Sequence, residues 1–69
     1  MKIQFTNVGH GKSCFTEDLK VLSYNTLKRA VAPYLASKII QFNYDEDKNE
    51  GMIYVGILGR PAGEFKAID

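Results

Sequence analysis

The sequence predicts one small α+β domain, in which an antiparallel sheet of four to five strands packs one face against one main helix. Three observations predict this fold. Residues 2–8 alternate between apolar and polar side chains, residues 23–38 carry an apolar stripe at helical spacing, and residues 39–58 contain two apolar runs on either side of a short acidic loop. A helix lying across one face of such a sheet forms a two-layer α+β domain. The predicted element order is β-β-α-β-β-β, and all 69 residues belong to the domain.

The first two predicted strands form a hairpin. Ile3 and Phe5 share one face of the first strand, and polar residues alternate with them, which is typical of a half-buried strand. The segment Gly9-His10-Gly11-Lys12 predicts a turn. The following residues, 14–22, fit either a strand or a helix that begins at Thr16, a suitable N-cap. We favour the strand, because a four-residue glycine turn suits a hairpin.

The helical segment runs from Ser23, a plausible N-cap, to Lys38. Its apolar stripe follows the i, i+3, i+4, i+7, i+8 spacing and consists of Leu27, Ala30, Val31, Tyr34 and Leu35. Pro33 lies inside this segment, where its missing amide leaves the carbonyl of Arg29 without a bond and costs ~3 kcal/mol. We therefore expect the helix to bend at Pro33 or to break there into two short helices.

Residues 39–58 predict a second hairpin, because they are rich in β-branched and aromatic residues and their loop closes with a glycine. Residues 59–63 predict a turn, and residues 64–68 a short edge strand. Both faces of the hairpin are apolar. We expect one set of side chains to face the helix: Ile40, Phe42, Tyr44, Ile53, Val55 and Ile57. The opposite, open face is expected to carry Ile39, Met52, Tyr54, Leu58 and Ile68.

Size and cysteine content favour self-association. A chain of 69 residues buries only ~60% of the surface that its unfolded form exposes, so small domains usually need a disulfide, a metal or a partner. The single cysteine, Cys14, excludes an intramolecular disulfide, and the chain has too few Cys and His residues for a structural zinc site. That leaves an unusually good core or self-association, and we expect a homodimer or a complex with another protein.

Localisation follows from what the sequence does not contain. Its apolar runs are all shorter than the ~20 residues that cross a bilayer, so we expect no membrane association. Met1-Lys2 leads directly into the alternating segment, so we expect no signal peptide. A lone thiol without a disulfide framework is typical of a reducing compartment, which predicts a cytoplasmic protein.

The turn at residues 9–13 carries two weak resemblances to catalytic sites. Gly9-His10-Gly11-Lys12-Ser13 is similar to the end of a phosphate-binding loop, but Thr6 stands where that motif needs its first glycine. His10 and Cys14 form the only His/Cys pair, and no residue near them in sequence would orient the histidine as a base. We therefore expect neither nucleotide hydrolysis nor thiol catalysis.

The acidic loop is similar to the first half of a calcium-binding loop, with Asp45, Asp47 and Asn49 at alternate positions. Glu50 and Gly56 occupy the positions where that motif needs glycine and a bidentate glutamate, so the match does not extend. The sequence thus predicts no metal site, no cofactor and no enzymatic activity.

Charged residues are expected to separate along the sheet. The net charge is only +1, so the overall balance favours no class of partner. Tracing the predicted strands up and down gathers His10, Lys12, Lys38 and Arg60 at one end. The opposite end collects Asp45, Glu46, Asp47 and Glu50, with Asp69 nearby.

These features predict a non-catalytic protein-interaction module, either a small adaptor or inhibitor or a homo-oligomer that associates through the open sheet face. An apolar cluster with polar surroundings is the usual anatomy of an interface. The predicted apolar contacts are Ile39, Met52, Tyr54 and Leu58, and the acidic residues Asp45, Glu46, Asp47 and Glu50 would steer a basic partner. The alternative is nucleic-acid or anion binding through His10, Lys12, Lys38 and Arg60.

Overall fold

A computed structural model describes residues 1–68. These residues form five strands, one α-helix and one short 3-10 helix. The elements are β1 (Lys2–Val8), β2 (Ser13–Asp18), α1 (Tyr24–Val31), a 3-10 helix (Ala32–Tyr34), β3 (Ile40–Asp45), β4 (Glu50–Val55) and β5 (Arg60–Ala67). All neighbouring strands are antiparallel, and the sheet order is β2-β1-β5-β4-β3. The predicted α+β fold and element order are confirmed. Asp69, which the sequence places near the acidic loop, lies outside the described residues.

The ambiguous segment after the first turn is a strand in its first half. Phe5 pairs with Phe15, and their rings stack with centroids 4.9 Å apart. The amide of Leu19 donates to the carbonyl of Met1 at 2.8 Å, and the chain then leaves the sheet. The strand is therefore shorter than the predicted span of residues 14–22, because residues 19–22 carry the chain towards the helix.

The predicted helix start and the predicted break are both confirmed. Ser23 is the N-cap: its hydroxyl accepts from the amide of Thr26, and the Thr26 hydroxyl accepts from the amide of Ser23 at 3.0 Å. The α-helix ends at Val31, and Pro33 lies in the first turn of the 3-10 helix, where an amide has no intrahelical partner to lose. The helical region is thus much shorter than residues 23–38.

The last strand differs most from the prediction. β5 spans eight residues and lies between β1 and β4, so its assignment as a short edge strand over residues 64–68 is wrong. The predicted turn over residues 59–63 is also wrong, since the observed turn covers residues 56–59. Pro61 is accommodated because the pairing with β4 shifts there, with Pro61 opposite Tyr54, Gly63 opposite Ile53 and Ala62 as the extra residue.

The core joins both hairpins and the helix. Its buried residues are Ile3, Phe5, Val8, Leu27, Val31, Ile40, Ile53 and Phe65. Phe65 lies at the centre of the sheet, and its ring contacts the rings of Phe5, Phe42 and Tyr44 at centroid distances of 6.2, 6.0 and 6.0 Å. Residues from every strand except β2 meet in this cluster, and Phe15 of β2 packs against it.

Gly51 gives a direct test of this packing. A Cβ atom at Gly51 would collide with the carbonyl oxygen of Asn43 and with the ring of Phe65. We expect Gly51→Ala to lower the free energy of unfolding by about 1–3 kcal/mol, since overpacking displaces well-fitted neighbours. Gly11→Ala is the control, because the nearest atom to its Cβ would be the Ser13 hydroxyl at 3.7 Å. Urea unfolding measures both, and equal stability of the two variants would contradict the packing of Phe65 against β4.

Candidate protein-interaction surface

The turn between β4 and β5 presents two large aliphatic side chains to solvent. Ile57 is 90% exposed and Leu58 is 89% exposed. Gly56 and Gly59 flank them with φ of 81° and 66°, and the amide of Gly59 donates to the carbonyl of Gly56 at 3.2 Å. Glycine adopts positive φ without the steric cost of a Cβ atom, so these two residues form the bends that turn Ile57 and Leu58 outwards.

Ile57 and Leu58 do not lie where the sequence places them. Ile57 was predicted to face the helix and Leu58 to lie on the open sheet face, and both assignments are wrong because β4 ends at Val55. Beyond Val55 the strand periodicity no longer determines which way a side chain points. Leu58 is nevertheless exposed, and Ile57, which was not among the predicted interface residues, is exposed beside it.

Ile39 adds a third apolar side chain at this end. Its carbonyl accepts a hydrogen bond from the amide of Gly56 at 2.9 Å, which holds the start of β3 against the turn. The side chain of Ile39 is 45% exposed. We call Ile39, Ile57 and Leu58 the apolar end surface.

The four predicted anion-binding residues share this end of the sheet. Strand pairing brings Val8 opposite Ser13, and Val55 opposite both Arg60 and Ile40, so the β1–β2 turn, the start of β3 and the start of β5 lie side by side. All four side chains are exposed: His10, Lys12, Lys38 and Arg60. They do not converge on one point, however, because His10 and Arg60 line one groove whereas Lys12 lines a separate shallow cavity.

The groove that His10 and Arg60 line lies beside the hairpin turn and has a volume of about 340 Å³. Apolar and aromatic walls come from Tyr34, Leu35, Val55, Pro61 and Ala62. The β1–β2 turn and the 3-10 helix are in close contact here, because a Cβ atom on Gly9 would collide with the carbonyl of Tyr34. The end of the domain therefore offers a projecting apolar turn with a partly apolar groove next to it.

The open sheet face is more polar than the sequence suggests. Met52 and Tyr54 lie there half-buried, and the Tyr54 hydroxyl donates to the Met52 sulfur at 3.6 Å. A shallow cavity of about 270 Å³ beside them is lined mainly by polar and charged residues, including Gln4, Thr6, Asn43, Asp45, Lys48, Glu50, Glu64 and Lys66. The four apolar residues predicted for the interface thus lie in two places, with Met52 and Tyr54 on the face and Ile39 and Leu58 at the end.

The acidic residues lie at the other end of β3 and β4. Asp45 pairs with Glu50 where the two strands join, and the Asp45 carboxylate accepts from the amide of Asp47 at 3.0 Å. All four predicted acidic residues, Asp45, Glu46, Asp47 and Glu50, are exposed. A six-residue strand is ~20 Å long, so these carboxylates cannot belong to the same contact patch as the apolar end surface.

His10 and Cys14, the pair considered for thiol catalysis, lie in the β1–β2 turn and on β2. Cys14 is exposed on β2, and its thiol makes a weak contact with the carbonyl of Lys12 at 3.9 Å. Within the described part of the chain, no group of three or more His, Cys, Asp or Glu side chains is placed to hold a metal ion. None of the helices in this part is long and apolar enough to cross a bilayer.

No protein-family model, curated protein or solved structure matches this chain. Its surface chemistry is therefore the basis on which a function can be inferred.

Two adjacent residues of β4 test which face of the sheet is covered by the helix and which is open. Val55 packs against the core cluster, whereas Tyr54 points to the open face. We expect Val55→Asp to lower the free energy of unfolding by roughly 3 kcal/mol, because it brings a carboxylate against apolar neighbours. Tyr54→Asp should cost only about 1 kcal/mol. If urea unfolding shows Tyr54→Asp to be the more damaging change, the two faces are inverted, as a one-residue register slip would produce.

Proposed function

We propose that this chain is a non-catalytic protein-interaction module, an adaptor or inhibitor that docks on another protein through the apolar end surface. The observation that carries the proposal is the nearly complete exposure of two adjacent aliphatic side chains, Ile57 and Leu58, in a turn closed by glycines. An exposed apolar cluster is a usual mark of an interaction site, whereas single scattered residues are not. Neither side chain contributes to the core, so the fold does not account for their apolar character.

Burial of Ile57 and Leu58 supplies part of the free energy of binding, and the rest of the interface must offset the cost of association. Burying one aliphatic side chain of this size stabilises a complex by ~1.5–3 kcal/mol, so Ile57 and Leu58 together supply ~3–6 kcal/mol. At 1.4 kcal/mol per tenfold change, this corresponds to roughly 10²–10⁴ in affinity. The neighbouring groove supplies a complementary recess into which an apolar side chain of the partner fits.

Charge indicates the chemistry of the partner. His10, Lys38 and Arg60 are exposed around the apolar end surface, whereas the acidic loop lies at the opposite end of the domain. A partner with an apolar pocket and an acidic rim is complementary to this arrangement. Rim charges of this kind mainly raise the rate of association, and the buried aliphatic side chains supply most of the affinity.

Nucleic-acid or anion binding is the second candidate, because His10, Lys12, Lys38 and Arg60 lie at one end of the sheet. Two features favour the protein partner over it. His10 and Arg60 line one groove and Lys12 lines another cavity, and the most exposed large apolar side chains at this end are aliphatic. Single-stranded nucleic acids bind on aromatic platforms, which Ile57 and Leu58 do not provide.

A double variant tests the docking surface. We expect Ile57→Ser combined with Leu58→Ser to weaken partner binding at least 100-fold, because the buried apolar area is lost. The free energy of unfolding should change by less than ~0.5 kcal/mol, since both side chains are exposed. Val21→Ser is the matched control, since Val21 is an exposed aliphatic residue, at 56%, in the segment between β2 and α1.

The measurement has two stages. Wild type and both variants are immobilised and exposed to lysate of the source cells, and proteins retained by wild type and by Val21→Ser but not by the double variant are identified. The purified candidate is then titrated calorimetrically against all three chains. A partner that binds the double variant as tightly as wild type would contradict docking through this surface.

Salt dependence separates the two candidates. On duplex DNA the log–log slope of affinity against salt is ~−0.9 for each phosphate neutralised. We expect random-sequence single- and double-stranded oligonucleotides to bind no more tightly than ~10⁻⁴–10⁻⁶ M at physiological salt, the range of non-specific association. Fluorescence anisotropy measures this. Tighter binding with a steep slope that flattens when Lys12, Lys38 and Arg60 are changed to Ala would favour the nucleic-acid candidate instead.

A further inference from the structure

The two edges of the sheet differ in how well they are protected from pairing with another strand. The pairing of the outer strand β2 with β1 shifts between Phe5 and Val8, where β1 carries one extra residue, and β2 ends in Glu17 and Asp18. The outer strand β3 pairs with β4 without a shift over all six residues, and its only charged residue is the last, Asp45. Bulges and charged side chains are the usual features that block edge pairing, so β3 is the less protected edge.

The backbone groups that β3 offers at this edge can be assigned from its pairing. In an antiparallel pair, alternate residues exchange hydrogen bonds with the partner strand, and the residues between them direct their amides and carbonyls outwards. The amide of Gly56 donates to the carbonyl of Ile39 at 2.9 Å, so Gln41 and Asn43 are the residues that bond to β4. The outward-facing residues are therefore Ile40, Phe42 and Tyr44.

Tyr24 covers one end of this edge. Its hydroxyl donates to the outward carbonyl of Ile40 at 2.8 Å, which independently agrees with the assigned directions. A carbonyl oxygen accepts two hydrogen bonds, so one acceptor position of Ile40 stays open. Within residues 1–68, no side chain bonds to the outward amides and carbonyls of Phe42 and Tyr44 as Tyr24 does to Ile40.

We infer that β3 pairs antiparallel with β3 of a second copy of this chain, about a two-fold axis at Phe42, and so extends the sheet across both subunits. A two-fold interface must be complementary to itself. In this register Ile40 lies opposite Tyr44 of the second copy, so all outward-facing backbone groups meet outward-facing groups. Lys38 and Glu46 lie just beyond the two ends of β3, so this register also brings Lys38 near Glu46 of the second copy on both sides of the axis.

Charge selects this register over its neighbours. A register centred on Asn43 also matches the outward-facing groups, but it brings Lys38 opposite Lys48 of the second copy. A register centred on Gln41 places Lys38 opposite Tyr44 and leaves Glu46 without a cation. Only the register centred on Phe42 pairs Lys38 with a carboxylate, and it does so twice in the dimer.

The side chains agree with the same register. Gln41 and Asn43 are exposed on the open face. The side-chain amide of Gln41 lies opposite that of Asn43 in the second copy, and the reverse, so hydrogen-bond donors and acceptors match across the seam. Phe42 lies opposite Phe42 of the second copy on the helix face, where both are half-buried and aromatic cross-strand pairs are stabilising. Ile57 and Leu58 stay free and occur at opposite ends of the two subunits, whereas Ile39 lies opposite Asp45 of the second copy, so the dimer would present two docking sites built on the β4–β5 turn.

The test uses two variants that differ only in the sign of one charge. In the double variant Gln41→Lys with Asn43→Lys, a lysine lies opposite a lysine of the second copy on each side of the two-fold axis. In the double variant Gln41→Lys with Asn43→Glu, a lysine lies opposite a glutamate of the second copy on each side. By sedimentation equilibrium we expect a wild-type dimer, a dimer dissociation constant at least tenfold higher for the first variant, and an unchanged or lower constant for the second. A wild-type chain that stays monomeric at millimolar concentration would overturn the inference, and so would a dimer that both variants affect equally.

Charge reversal at the flanking pair checks the register independently. Lys38→Glu should weaken the dimer, and adding Glu46→Lys should restore it. Hydrogen exchange remains informative if a variant does not fold: in the wild type, exchange at the amides of Phe42 and Tyr44 should slow as protein concentration rises. A dimer that forms without slowing exchange at these two amides would overturn pairing through β3. None of these variants touches Ile57 or Leu58, so failure here leaves the proposed docking surface standing.

Discussion

The position of β5 between β1 and β4 is the constraint on which the rest of the structure depends. The N-terminal and C-terminal hairpins are separated in sequence by the helix, and within residues 1–68 β5 is the one strand that pairs with both. The amide of Ile68 donates to Lys2 and that of Ala67 donates to Asn49, so successive residues of this strand bond to opposite neighbours. Phe65, nearly fully buried, places its ring among aromatic rings from both hairpins. Without this strand the two hairpins would share no sheet and much less of their core.

The location of the candidate site follows from that constraint. Because β5 runs antiparallel to both β4 and β1, the turn that carries Ile57 and Leu58 must lie at the same end as the β1–β2 turn and the start of β3. The cations of those segments are therefore collected around the apolar end surface, and the acidic loop is placed at the far end. Topology thus creates an apolar and basic end that the net charge of +1 does not reveal.

Local patterns predict the elements whose signals are local. Alternation at Ile3 and Phe5 identifies β1, the hydroxyl of Ser23 identifies the helix start, and Pro33 identifies its break. The role of β5 was missed because Pro61 and Gly63 are typical turn residues, and only a register shift at Ala62 allows them within a central strand. Which strands lie on either side of β5 depends on contacts distant in sequence, which periodicity does not encode.

The candidate site shows the same limit. The apolar run that forms β4 continues through Ile57 and Leu58, so a period of two gives no sign that the strand ends at Val55. The sequence does mark the end of the strand by two glycines, Gly56 and Gly59. They are spaced as in a tight turn, and both adopt the positive φ that glycine allows. The edge available on β3 depends on which strands are outermost, and that order follows only once β5 is known to be central.

Native-state hydrogen exchange along β5 tests the central claim most directly. Every amide from Glu64 to Ala67 should be protected to the level of global unfolding, because Glu64 and Lys66 bond to β1 whereas Phe65 and Ala67 bond to β4. Protection at every second amide, with fast exchange at those between, is the pattern of an edge strand. Such a pattern would contradict the placement of β5 and, with it, the shared end on which the proposed docking surface depends.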